Sequence, residues 1–128
     1  LSTSAITYYT YAQNISMDEP LAEIPPLMGL LSVRLKRSVY WAEVSGRIAA
    51  SQNRVSASFD EAKSPGFSVL NVLSGVQVHK YIDLTLAIKN IFDANYYEHL
   101  SRPFSNQEES SVFWEPGRSV RVGLRISF

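Results

Sequence analysis

Two histidines, His79 and His99, are the side chains best suited to proton transfer or metal ligation near neutral pH, so their neighbours decide what chemistry is open. His79 stands beside Lys80 in what reads as a short, solvated turn, and His99 follows Glu98 in a long loop. A hydrolytic triad needs Ser, His and a carboxylate within hydrogen-bond reach of one another. The spacing instead puts the two histidines at opposite ends of a sheet. A metal centre needs three or four ligands on elements that can converge. No second His, no Cys and no suitably spaced carboxylate accompanies either ring on a common element. Met17 and Met28 do not make a copper-binding pair, and Asp60, Glu61 and Lys63 read as a solvated loop. Arg118, Arg121 and Arg125 could line an anion path, but are better suited to pairing with Glu43 or Asp83. Glycine-rich phosphate loops are absent, the glycines falling at turns or inside strands. The expectation is a protein with no catalytic residues, no resident metal and no cofactor.

Composition narrows the class further. The chain has 128 residues, the size of one domain, and its 12 basic and 12 acidic residues cancel. Nothing there favours nucleic acid, which attracts a clustered basic excess. An apolar share of 45% is too high for a disordered chain. With no cysteine, disulfide frameworks, thiol catalysis and thiolate metal sites are excluded. No apolar run is long enough for a transmembrane helix, though membrane β-strands need only about 9–11 residues of alternating polarity. The opening Leu1-Ser2-Thr3-Ser4 has neither an initiator Met nor a basic start before an apolar core, so a fragment or processed chain is expected.

The elements available to position side chains are strands. Six stretches show period two with β-branched and aromatic residues: Thr3 to Ala12, Leu27 to Lys36, Val39 to Ser51, Phe67 to Val76, Tyr81 to Asn90, and Ser119 to Phe128. In the later five, one face is free of charge. It includes Leu31, Val33, Val44, Ile48, Leu84, Leu86, Val122 and Leu124. The other carries Arg34, Lys36, Glu43, Arg47, Asp83, Lys89, Arg121 and Arg125. The Phe67–Val76 faces are less clean, and those of the first strand are undeclared. Alternation of this kind fits a soluble sandwich or barrel as well as a membrane barrel.

Connection lengths weigh towards the membrane. They run long, short, long, short, long: Gln13 to Pro26, Arg37-Ser38, Gln52 to Gly66, Gln77 to Lys80, Ile91 to Arg118. Outer-membrane barrels alternate in this way, with short periplasmic turns and long external loops. All six prolines fall in the long loops, which leaves every strand its backbone donors. Tyr8, Tyr9, Tyr40, Trp41, Tyr81, Phe92 and Phe128 lie near strand ends, where barrels place aromatic girdles.

Three motifs then meet a family. Arg121-x-Gly123-x-x-Ile126-x-Phe128 resembles the C-terminal assembly signal of bacterial outer-membrane barrels. Glu115-Pro116-Gly117-Arg118 resembles the lead-in to the last strand of TonB-dependent receptors, and Asn90-Ile91-Phe92-Asp93-Ala94-Asn95-Tyr96-Tyr97 is similar to another segment of that family. Ile24-Pro25-Pro26-Leu27 and Pro65-Gly66-Phe67 add to the likeness. The resemblance implies an all-β, antiparallel up-and-down meander. It would supply about six strands of a barrel of about 22, with residues 1–128 as the C-terminal part and no plug domain. It further implies a bacterial outer-membrane location and TonB-energised import of a ferric siderophore, haem or a related metal complex. The implied partners are outer-membrane lipid, the missing plug and strands, the TonB system and the metal-complex substrate, with no nucleic acid. Leu84 and Leu124 would face lipid, and Asp83 and Arg125 the lumen. Candidate ligand contacts lie in the last long loop: Glu98, His99, Arg102, Phe104 and Trp114. The alternatives are a soluble β-barrel or sandwich that binds an apolar ligand, and a small structural outer-membrane barrel.

Overall fold

The structure is a computed structural model and describes residues 1–101 and 112–128. The described residues form eight strands: β1 (Ser2–Tyr8), β2 (Gln13–Asn14), β3 (Glu19–Pro20), β4 (Met28–Lys36), β5 (Tyr40–Ala49), β6 (Phe67–His79), β7 (Ile82–Lys89) and β8 (Ser119–Ile126). Six of them build one antiparallel meander in the order β1-β4-β5-β6-β7-β8, while β2 and β3 form a separate two-residue ladder. Period two announced the strands, and the antiparallel meander that the resemblance implied is the observed fold.

Register settles the faces that the sequence left open, because residues directly opposite in an antiparallel pair point to the same side. Val72 of β6 stands opposite Val44 of β5 and Ile88 of β7, so Ser68, Leu70, Val72, Ser74 and Val76 join the uncharged face. Thr3, Ala5 and Thr7 of β1 stand opposite Val33, Leu31 and Gly29 and join it too. The uncharged face therefore runs unbroken across six strands. It is uncovered: Ile48 is 63% exposed, Val122 75% and Leu124 62%.

Burial is correspondingly sparse. Met28, Ala49 and Val69 are the buried apolar residues of the described chain. By register all three lie on the charged face, towards the long-loop end. A compact monomer of 14.4 kDa would expose about 6,800 Å², whereas this chain exposes 9330 Å². A sandwich would bury one face of each sheet against the other, and a closed barrel would pair β1 with β8. The described residues do neither.

Four details depart from the sequence reading. β1 ends at Tyr8, not Ala12, and the long connection after it contains the β2–β3 ladder. Pro20 lies in β3, so not every proline is outside strands, although the six-stranded sheet holds none. β6 continues to His79 through an irregularity between Gln77 and His79. His79 is thus the last, exposed residue of a strand, and the turn is Lys80-Tyr81. The expected turn at Arg37-Ser38 takes in Val39, since β5 starts at Tyr40.

One close approach depends on a missing Cβ. Gly75 of β6 lies opposite Trp41 of β5, and the indole lies where a Gly75 side chain would be. Arg34 stacks its guanidinium 4.3 Å from the Trp41 ring centroid and pairs with Glu43, its cross-strand neighbour, at 3.5 Å. Arg125 pairs with its own cross-strand neighbour, Asp83, at 3.8 Å. Both pairs are partly exposed and each is worth at most about 1 kcal/mol, so they order the charged face more than they stabilise it.

Candidate functional site

The charged face is concave. A cavity of about 620 Å³ lies over it and takes lining residues from every strand of the sheet, among them Ile6, Leu30, Arg47, Asn71, Lys89 and Arg121. One face of a single sheet can contribute from both edges to one cavity only if the sheet curls towards that face. The uncharged face is then the convex one, which is the curvature of a barrel wall with a polar interior.

Three long connections stand at one end of this wall, residues 9–27, residues 50–66 and, of the third, the described residues 90–101 and 112–118, while the short turns stand at the other. Side chains tie the three together. The Glu61 carboxylate is central: Oε1 accepts from the Glu23 backbone N–H at 2.8 Å and lies 3.1 Å from His99 Nε2. Oε2 accepts from the Ser56 N–H at 2.7 Å. His99 Nδ1 lies 2.9 Å from Ser64 Oγ. Glu61, Ser64 and His99 are all buried, so the sequence reading of Glu61 as part of a solvated loop is corrected. The reason lies in its partners, two of them from other loops: a carboxylate met by backbone N–H donors and a histidine can leave water without being left unpaired.

Ser64, His99 and Glu61 reproduce the connectivity of a hydrolytic triad, an arrangement for which the sequence offered no candidate. Ser64 is 5% exposed, so its hydroxyl is shut away from any substrate in this conformation. The cluster acts instead as a polar core for the loops.

Further bonds reinforce the first two loops. Gln52 Nε2 donates to the Ile24 carbonyl at 2.7 Å, and Gln52 and Ser64 form a two-bond backbone bridge. Arg54 donates to Gln13 Oε1 at 2.7 Å and stacks 4.0 Å from the Tyr11 ring centroid. Glu19 accepts from Ser56 Oγ and from the N–H groups of Ala57 and Ser58. The hydroxyls of Ser58 and Ser56 and these N–H donors hold its carboxyl below the usual carboxylate range.

The two motif segments of the last loop meet at its base. Asn90, 3% exposed, donates from Nδ2 to the carbonyls of Ala94 and Pro116 and accepts on Oδ1 from the Ala94 N–H. Its own N–H donates to Asn71 Oδ1. Asp93 Oδ1 accepts from the Arg118 N–H at 2.6 Å, and the Glu115 N–H donates to the Tyr96 carbonyl. A Cβ on Gly117 would stand 2.7 Å from Asp93 Oδ1. Thus Asn90, Asp93, Glu115, Pro116, Gly117 and Arg118 close the loop. Ile91 extends the β6–β7 ladder through its N–H to the Leu70 carbonyl, and Phe92 points its ring to solvent.

The candidate ligand residues separate by geometry. Glu98 forms an ion pair with Arg47, whose guanidinium also faces Phe67 and Tyr96. His99 is inside the loop cluster. Trp114 is exposed and stands edge-on to Tyr97, with centroids 5.3 Å apart. Arg102 and Phe104 lie outside the described residues. Among the described residues no group of three His, Cys, Asp or Glu side chains is poised to hold a metal ion. At the C-terminal end, Gly123 lies opposite Thr85, Arg121 lines the cavity, and Ile126 and Phe128 are exposed.

Comparison with known proteins gives a firm likeness. The copper transporter OprC superposes with a TM-score of 0.85 at 28% identity, over 98% of this chain and 21% of its own. This is the fold of a transporter's β-barrel wall. In all, 28 chains of solved structures match. No protein-family model matches, and no curated protein does. The chain spans about a fifth of the transporter's length, and that neighbour is a transporter, not an enzyme.

Proposed function

We propose that this chain is the C-terminal six-stranded portion of a TonB-dependent outer-membrane transporter that imports a metal complex. The observation that carries the reading is the two-sided curled sheet, uncharged and uncovered outside, charged and concave inside. Its convex band suits hydrocarbon, and its concave face suits a hydrated or plug-filled lumen. The free edges of β1 and β8 are where the remaining strands would pair, since an unpaired edge cannot lie in lipid. The likeness to a copper transporter supports a metal-containing cargo. The motif resemblance adds ferric siderophores and haem as cargo classes, and energy supplied through TonB.

Sidedness and energy coupling test this in the full-length protein on intact cells. A single Cys in place of Phe59, exposed in the second long loop, is expected to react with a membrane-impermeant maleimide. One in place of Lys80, in a short turn, is not. Uptake of the metal complex should stop when the proton-motive force is collapsed. Labelling only at position 80 would invert the topology, and uptake indifferent to the proton-motive force would remove the TonB assignment.

Arg121, Gly123, Ile126 and Phe128 are assigned to assembly in the same reading. Phe128→Ala is expected to lower the amount of protein in the outer membrane and leave uptake per assembled molecule unchanged. Normal assembly with lost uptake would overturn that assignment.

A further inference from the structure

We infer that the buried Glu61–His99–Ser64 cluster is a latch that makes the three long loops open together or not at all. The first loop enters through the Glu23 N–H, the second through the Ser56 N–H and the third through His99, all three converging on Glu61, while Ser64 of the second loop bonds the other nitrogen of the His99 ring. The loops that meet here connect different pairs of strands, so the sheet alone would let each move separately. The carboxylate couples them, because it is buried and its bonds are interdependent. Withdrawal of one donor leaves a buried charge short of a partner, which is far costlier than loss of an exposed bond. Water that enters with the first loop to open relieves the same penalty for the other two.

Local backbone supports a sprung arrangement. Glu23 and Asp60, the latter beside Glu61, both sit at positive φ, 61° and 47°. Asp enters that region more readily than most residues with a Cβ and Glu does not, so it is Glu23 that surrounding bonds must hold there. The latch needs no ligand and does not rest on the transport reading. In a transporter, contact made by one loop would be passed to the other two.

The test is hydrogen exchange of the full-length protein by mass spectrometry, following peptides that cover 19–26, 52–66 and 95–101. Ser64→Ala removes only the hydroxyl beside His99 and leaves the Glu61 contacts to Glu23 and Ser56 in place. The expected result is faster uptake in all three peptides in parallel, by about tenfold, the order for one buried hydrogen bond lost. Acceleration confined to 95–101, or to 95–101 and the peptide carrying the substitution, with 19–26 unchanged, would show independent loops and overturn the latch. Glu61→Gln presents an amide donor where a second acceptor is needed. It should accelerate the same three peptides further, and an unchanged rate in any of them would likewise overturn the latch.

Discussion

Val44→Arg is expected to prevent the full-length protein from folding into liposomes, whereas Ser45→Arg, one residue along, is not. Val44 is the fifth of ten residues in β5 and lies opposite Val33 and Val72. It sits in the middle of the uncharged convex face. Arginine on the lipid face near the bilayer midplane costs about 2–4 kcal/mol, a large part of a typical folding free energy. Ser45 points to the concave side and lines the cavity there, so a long cation meets space and water. The readout is the folded fraction on refolding into liposomes of fixed thickness, followed by tryptophan fluorescence and protease resistance. Equal loss at both positions would mean that neither face meets lipid, and equal tolerance would mean the same. The choice of Val44 depends on register. Leu84, on the same face, lies opposite Val76, and Val76 lies opposite Tyr40 at the short-turn rim. Arginine there can reach the interface, and the penalty near the bilayer edge falls to about 0–1 kcal/mol.

The six strands were legible because period two survives wherever one face is uncharged. Strand-by-strand, Leu31, Val33, Val44, Leu86 and Val122 mark that face without any neighbour in view. Strands whose outward residues are mixed, such as Ser68 and Ser74 of β6 or Thr3 and Thr7 of β1, became assignable only through the partners opposite them. Termini were less legible: Tyr9 and Tyr11 extend the aromatic pattern beyond Tyr8, but no strand lies opposite them. The loop cluster was not legible at all. Glu61 and His99 are separated by the whole of β6 and β7, and no local spacing signals that a carboxylate in one loop is buried against a ring in another. Glu61 is flanked by Asp60 and followed by Lys63, which makes the stretch look solvated. Its burial comes from backbone donors, which have no signature in side-chain types. The base of the last loop was partly legible. The motif residues were recognisable as segments, but that Asn90 reaches Pro116 and Asp93 reaches Arg118 is a fact of the closed loop.

Replacing Asn90 is expected to be the most damaging single change at the loop end. Asn90 is held at φ 50°, a region that asparagine enters more readily than other residues with a Cβ. Its amide satisfies the Ala94 carbonyl, the Ala94 N–H and the Pro116 carbonyl from a site only 3% exposed. Asn90→Ala removes all three bonds and keeps the unfavourable φ, for a loss of about 2–4 kcal/mol. Asn90→Gly removes the same bonds but relieves the backbone, so it should recover about 1 kcal/mol of that loss. Asn90→Asp retains an acceptor for the Ala94 N–H and turns a second oxygen towards two carbonyls, which is repulsive. The predicted order of stability is wild type, then Gly, then Ala, with Asp at or below Ala, measured as urea midpoints of the full-length protein in detergent. Protease cutting between Tyr96 and Trp114 should rise in the same order, because the bonds to Ala94 and Pro116 join the two ends of that loop. If Gly and Ala were equally destabilising, the positive φ would carry no cost. If the substitutions lowered the midpoint without loosening the loop, Asn90 would stabilise the end of the β6–β7 ladder rather than the loop base.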